Sequence, residues 1–190
     1  MAVRSTVYTI KVSLQRMKPP VWRRLLVHSD TSLAELHYII QNAMGWQDAH
    51  LHQFEVDGTY YADTMHMLDD TKDESRMTLA RLRLRTGDRF LYWYDFGDDW
   101  YHEIRVESVD RDDPSVVYPR CVAGRRACPP EDCGGPMGFD ELMRALDDEN
   151  HPGYQVYSEW MEMIGEIDYD PKRFDLAEIN EVLEKGATGA

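Results

Sequence analysis

The stretch YDFGDDWYH, residues 94–102, holds three aspartates, two tyrosines, a tryptophan and a histidine in nine positions. A hairpin turn needs a glycine and one aspartate. The surplus raises the question of what a carboxylate cluster could do. Asp95, Asp98 and Asp99 lie in this stretch, and Glu131 and Asp132 lie in a PPED segment. If the two loops meet, five carboxylates crowd together. Such a cluster binds a cation or raises some of its own pKa values enough for acid–base work. The plainer alternative is a turn, with aspartates bonding local N–H groups. Asp48, in GWQDAHLHQF, and Trp100 complete the candidate polar cluster.

The metal-ligating residue types fall in two groups. His50 and His52 are two apart on an expected strand, so they share a face, and His102 sits on a second strand. A pair on one strand with a third histidine from a neighbour is one way to build a zinc site. The alternative is three hydrogen-bonded structural histidines. Cys121, Cys128 and Cys133 are separated by six and four residues, which is not the CxxC knuckle of a zinc ribbon. Thiolate and imidazole both suit zinc, so a mixed Cys/His site is chemically sensible. Zinc or another divalent metal is the cofactor these residues would take.

These residues need elements to position them. In TVYTIKVSL, Tyr8, Ile10, Val12 and Leu14 recur at period two, which predicts a half-buried strand over 6–14. KPP breaks it, and VWRRLLV at 21–27 predicts an antiparallel partner. Ser32 with Glu35 forms a capping box ahead of a helix bearing Leu33, Leu36, Ile39, Ile40 and Ala43 on one face, and Gly45 ends it. Strands are expected over 50–57, 89–95 and 100–109, with one helical turn near TLAR. Residues 62–77 read as an acidic surface loop. Residues 118–138 read as a long loop dense in Pro, Gly and Cys, and three helical segments follow. The order predicts an α+β fold: an antiparallel sheet with a β-grasp-like strand-strand-helix-strand-strand core and C-terminal helices packed on it. Residues 1–110 are expected to form the sheet core, and 111–190 the Cys/Pro/Gly-rich loop and helices, expected in the same domain, with a small separate subdomain as the alternative.

Composition narrows the function classes. At 43% hydrophobic and 11% aromatic, the 190-residue chain can bury a real core. No apolar run reaches the roughly 18 residues of a membrane span. The alternating N-terminus lacks a signal peptide's apolar segment, so a cytoplasmic location is expected. In a reducing compartment, an odd number of cysteines suggests free thiols or ligands. The net charge is −14, and −10 of it falls in residues 111–190. Nucleic-acid affinity comes chiefly from Lys and Arg neutralising phosphates, so extended nucleic-acid binding is not expected. A local basic patch at Lys18, Arg23 and Arg24 is conceivable, and an acidic surface suits a basic protein partner. The chain has no GxxxxGK[ST] loop, no GxGxxG fingerprint and no GxSxG elbow, and its DFG lacks the rest of the kinase set.

The blocks KPPVWRR, LHYIIQNAMGWQDAHLHQFEVDG, YDFGDDWYHEIRVE, YPRCVAGRRACPPEDCGG and GFDELMRALDDENHP resemble the plasmid pRi open-reading-frame-three-like family, from about residue 6 to 183. Members are labelled insertion-element passenger proteins of TnpR type. The resemblance implies an association with plasmids and transposable elements. By name it also suggests a resolvase. The chain offers neither the serine–arginine set nor the basic helix-turn-helix of one, and no tyrosine-recombinase set. The expectation is therefore an accessory protein acting as a binding or interaction module. A metal-binding domain or metal-dependent hydrolase is the alternative, with a resolvase-like DNA role third. GWQDAHLHQF, YDFGDDWYH and ACPPEDCGG can meet at one end of the sheet, either as a structural end-cap, with aspartates on backbone N–H groups over Trp46 and Trp100, or as a binding cleft.

Overall fold

The computed structural model describes residues 6–188. Its chain runs β1 (Thr6–Leu14), β2 (Trp22–His28), α1 (Leu33–Met44), β3 (His52–Val56), β4 (Thr59–Ala62), β5 (Thr71–Asp73), α2 (Leu79–Leu82), β6 (Arg89–Tyr94), β7 (Trp100–Arg111), β8 (Arg120–Arg125), α3 (Gly135–Asp147), α4 (Tyr154–Met163) and α5 (Leu176–Thr188). The strands form one eight-stranded sheet in the order β5-β4-β3-β6-β7-β1-β2-β8. Every pairing is antiparallel except β4 with β5.

The period-two pattern places the core as expected. Tyr8, Ile10, Val12 and Leu14 of β1 are buried, as are Trp100, His102, Ile104 and Val106 of β7. Helix α1 begins with the reciprocal Ser32–Glu35 capping box and ends at Gly45, whose φ of 88° is the left-handed cap that glycine adopts without a Cβ penalty. Its buried stripe is Leu33, Leu36, His37, Ile40, Gln41, Ala43 and Met44. Two polar residues, His37 and Gln41, therefore sit on the core face, while Ile39 is only partly buried.

The α+β class stands, with a mostly antiparallel sheet of eight strands. β4, and β5 and β8 from segments read as loop, extend it on both sides to that number. Alternation could not reveal β8. RCVAGR has no clean period, and its register slips at Arg24/Leu25 of its partner. The 62–77 segment carries β5 and two 3-10 turns besides loop. The basic patch considered at Lys18, Arg23 and Arg24 does not form. Arg23 is buried, with its Nε donating to the Ala43 carbonyl at 2.8 Å, and Arg24 pairs with Glu107.

Helix α5 closes over β8 through Asn180. Its Oδ1 accepts from Cys121 N–H at 2.8 Å, and its Nδ2 donates to the Cys121 carbonyl at 2.9 Å. A single amide side chain thus supplies both hydrogen bonds that a neighbouring strand would make. Asn180→Ala is expected to lower unfolding stability by about 2 kcal/mol, because both buried backbone groups lose their partner. Urea denaturation reads this directly, and a change under about 0.5 kcal/mol would mean the Asn180 bonds contribute nothing net.

Candidate functional site

The three polar blocks meet at one end of the sheet. Trp46, just past α1, donates its indole N–H to the Pro129 carbonyl at 2.9 Å. Gln47 N–H donates to Glu131, and the Tyr94 hydroxyl donates to the other Glu131 oxygen. Gly134 N–H donates to Asp98 at 3.0 Å, tying the 126–134 loop to the β6–β7 turn. Beneath them the buried Trp46 and Trp100 rings lie 5.8 Å apart.

Asp95 is both a turn residue and part of a cluster. Its Oδ1 accepts from Gly97 N–H and Asp98 N–H, and its φ is 54°. Asp99 closes the same turn, donating its N–H to the Asp95 carbonyl. The other Asp95 oxygen, Oδ2, lies 3.6 Å from His50 Nε2, and Asp132 Oδ1 lies 3.0 Å from the same nitrogen. The three ligand atoms fall within 4.8 Å of one another. His50 Nε2 is buried, yet neither approach has hydrogen-bond geometry. His50 comes from the connection into β3, Asp95 from the end of β6, and Asp132 from the loop after β8. Asp95 is buried, whereas Asp132 is exposed, so the cluster opens to solvent on the Asp132 side.

A second constellation lies behind it. His37 Nε2 meets Asp48 Oδ1 at 2.8 Å, and His37 Nδ1 meets the Tyr92 hydroxyl at 2.8 Å. Gln41 donates to that hydroxyl. His52 Nε2 meets both oxygens of the buried Glu74, at 2.9 and 3.0 Å. The His37 and His52 rings stack with centroids 3.5 Å apart and planes 5° from parallel. Burial, with the nearby His52 and His66, pushes the His37 pKa down to about 2, so its imidazole is neutral. Burial also raises the Asp48 carboxyl.

The histidine trio considered for zinc does not assemble. His52 takes Glu74, and His50 turns toward Asp95 and Asp132. His102 lies in an aromatic layer, 5.2 Å from the Tyr92 ring and 5.3 Å from that of Trp46. Its Nδ1 meets the Trp100 carbonyl, and burial drops its pKa to about 4. The three cysteines are free and buried. Among the described residues, no convergent group of three metal-ligating atoms includes His102 or a cysteine. Burial raises all three thiols, with Cys128 pushed up to about 12, so they are poor nucleophiles as they stand.

Sequence reasoning missed His37, His66 and Glu74. His37 carried one usable signal, a histidine four residues before a glutamine on an otherwise apolar helical stripe. His66 and Glu74 sit in the segment without a period, which carries no such signal.

Comparison with known proteins gives a consistent result. The model of the family described as "Plasmid pRiA4b ORF-3-like protein" matches residues 6–178. "Uncharacterized protein y4hQ" of Sinorhizobium fredii is 34% identical over 184 residues, covering 95% of this chain and 92% of that protein. The crystal structure of "Protein of Unknown Function MM3350" from Methanosarcina mazei Go1 superposes with a TM-score of 0.80 at 33% identity. That match covers 92% of this chain and 97% of the other.

Proposed function

The chain belongs to the plasmid pRiA4b ORF-3-like family, and on that premise we propose that it is a divalent-metal-binding protein whose ion is held by His50, Asp95 and Asp132. The observation that carries this is the spacing around His50 Nε2. Bonds of about 2.1 Å set neighbouring ligands about 3.0 Å apart in an octahedron and about 3.4 Å apart in a tetrahedron. The oxygens here lie at 3.0 and 3.6 Å. The nitrogen is aligned with neither oxygen, as expected of a donor directed at a point between them.

One imidazole with two carboxylates is a donor set that both Zn²⁺ and Mn²⁺ accept. Three protein ligands leave positions for water, and a metal there would lower the pKa of that water as hydrolases require. The protein's own part is orientation. Gly97 and Asp98 N–H groups hold Asp95 by one oxygen and leave the other for the ion.

Plasma mass spectrometry on untagged protein purified without chelator is expected to find close to one zinc or manganese per chain. His50→Ala, Asp95→Asn and Asp132→Asn should each weaken binding by about 100-fold or more. Asparagine tolerates the left-handed φ at 95 and 132, so the backbone is kept. Full occupancy in His50→Ala would sink the reading.

A second reading, a module for a basic protein partner, is favoured by one feature. A groove of about 990 Å³ is walled by α4 and the connections on either side of it, and among the described residues Glu149, Glu159 and Glu162 line it without a lysine or arginine. Among the described residues, no helix is long and apolar enough to cross a membrane.

A further inference from the structure

Helices α1, α3, α4 and α5 join the core on one face of the sheet, with Ile10, Val12 and Ile104. The opposite face carries Lys11, Arg24, Arg89 and Arg105, each half-buried or exposed. Strand register sets these four side by side. Arg89 on β6 is opposite Arg105 on β7, Arg105 is opposite Lys11 on β1, and Lys11 is opposite Arg24 on β2. Adjacent strands lie about 4.8 Å apart, so the row of cations spans about 14 Å. We propose that this face binds a single strand of nucleic acid, with phosphates along the cation row and bases on the aromatic rings of the same face.

Like charges directly opposite on neighbouring strands destabilise a sheet. Here such pairs follow one another across four strands. Glutamates answer two of the cations: Arg89 meets Glu103 at 3.0 Å, and Arg24 meets Glu107. Lys11 and Arg105 form no salt bridge among the described residues. Their charge still reaches Glu107, whose carboxyl is held below its usual range by the Arg24 hydrogen bond first, then by Lys11 and Arg105. The row is therefore a local surplus of positive charge in a chain whose net charge is −14. The acidic excess lies mainly in residues 111–190, whose helices pack behind the other face. At physiological salt, exposed charges more than about 8 Å apart are largely screened from one another. The chain's overall charge thus argues against long contacts with nucleic acid but not against a short row.

The rings select the partner. Trp93 and Tyr101 are opposite each other on β6 and β7. Each is an even number of residues from Arg89 or Arg105 on its strand, so the rings and the cations share a face. The Trp93 and Tyr101 planes lie 15° apart with centroids at 5.0 Å, and Phe96 packs on Trp93 at 4.3 Å. All three are half-buried. Trp22, two residues from Arg24, carries Lys11 Nζ at 4.7 Å and the Arg24 guanidinium at 5.3 Å from its ring centroid. Those cation–π contacts hold both charges at the surface. A phosphate chain presents negative charge along a line, and every base has a π-face to lay on an aromatic ring. An acidic peptide or an anionic bilayer would satisfy the cations but has nothing to stack on the rings. A flat sheet face cannot enter a duplex groove, which admits a helix or a two-stranded ribbon, so the strand it takes is single.

Fluorescence anisotropy of dye-labelled oligothymidylate and oligouridylate, about 12 nucleotides long, tests this with the intact protein at low salt. Both are expected to bind. Log affinity should fall against log salt with a slope of about −1.4 if Lys11 and Arg105 alone engage phosphates, and about −2.8 if all four cations do, at about 0.7 per phosphate. Lys11→Glu and Arg105→Glu should each weaken binding about tenfold or more, and Trp93→Ala about tenfold. Arg105→Ser should weaken binding without lowering the urea midpoint, because it removes like-charged neighbours, whereas a purely structural role would lower the midpoint. His50→Ala should leave binding unchanged, which separates this face from the metal reading. The proposal is overturned if neither oligonucleotide binds, if the salt slope is flat, or if Lys11→Glu and Arg105→Glu bind as the unaltered protein does. Polyglutamate displacing the oligonucleotides at equal charge would make the partner an acidic protein instead. Binding to phosphatidylserine vesicles with no binding to oligonucleotides would make it a membrane surface.

Discussion

Lowering the pH from 7 to 4 is expected to remove about 6 kcal/mol from the folding stability, against a typical domain's margin of about 5–15 kcal/mol. Two buried histidines carry the loss. His37 and His102 have native pKa values pushed down to about 2 and about 4, each chiefly by burial. Unfolded, each titrates near 6.5. Below that value the unfolded chain takes up protons that the native state refuses, so stability falls as pH falls. Each pH unit costs about 1.4 kcal/mol per histidine, and the window from 6.5 to 4 contributes about 3 kcal/mol from each. The loss should be under way by pH 6, above the range where carboxylates titrate. Urea midpoints at pH 7, 5.5 and 4.5 read the slope. His37→Gln and His102→Gln should each flatten it while lowering stability at pH 7. A flat profile from 7 to 5 would show that neither histidine is kept neutral by the fold.

The second large effect belongs to Gly135→Ala. Gly135 has φ +68°, and a Cβ added there would lie 2.2 Å from the Asp98 carbonyl oxygen. That contact is backbone on both sides, so no side chain can swing away. The 126–134 loop would have to lift off the β6–β7 turn, breaking the Gly134–Asp98 bond and carrying Asp132 away from His50. Overpacking plus left-handed strain puts the cost at about 3 kcal/mol. Metal binding should fall by the same 100-fold as in Asp132→Asn. Gly87→Ala is the control. Its φ is +98°, but a Cβ would meet nothing within 4 Å, so it should cost only about 1 kcal/mol and leave metal binding alone. Equal effects of the two substitutions would show that backbone strain, not contact between the loops, is what matters.

What could be read in advance followed from local rules. Alternation found β1 and β7, and the capping box with Gly45 bounded α1 to the residue. The meeting of three polar blocks followed from placing each at a strand end or turn. What stayed hidden was non-local. The grouping of His50, Asp95 and Asp132 joins residues up to 82 positions apart and depends on how two loops stack. β8 exists because β2 leaves a row of groups to pair with, not because of its own pattern. His37 was masked by convention, because histidine is counted as polar and an apolar-stripe count passes over it. Its pairing with Asp48, Tyr92 and the His52 ring is a property of three elements together.

Asn180 has a consequence for how this molecule can meet others. An outer strand with free N–H and C=O groups is a template on which another chain can grow, by domain swapping or by amyloid-like addition. At one rim of the sheet, that template is plugged at Cys121 by a side chain from the protein's own last helix. At the other rim the terminal strand, β5, is three residues long, too short to seed a ladder, and carries Lys72 at its centre. Strand-to-strand addition is thus obstructed at both ends of an eight-stranded sheet. Recognition is left to side chains, on the faces and loops where the acidic groove and the two polar sites lie.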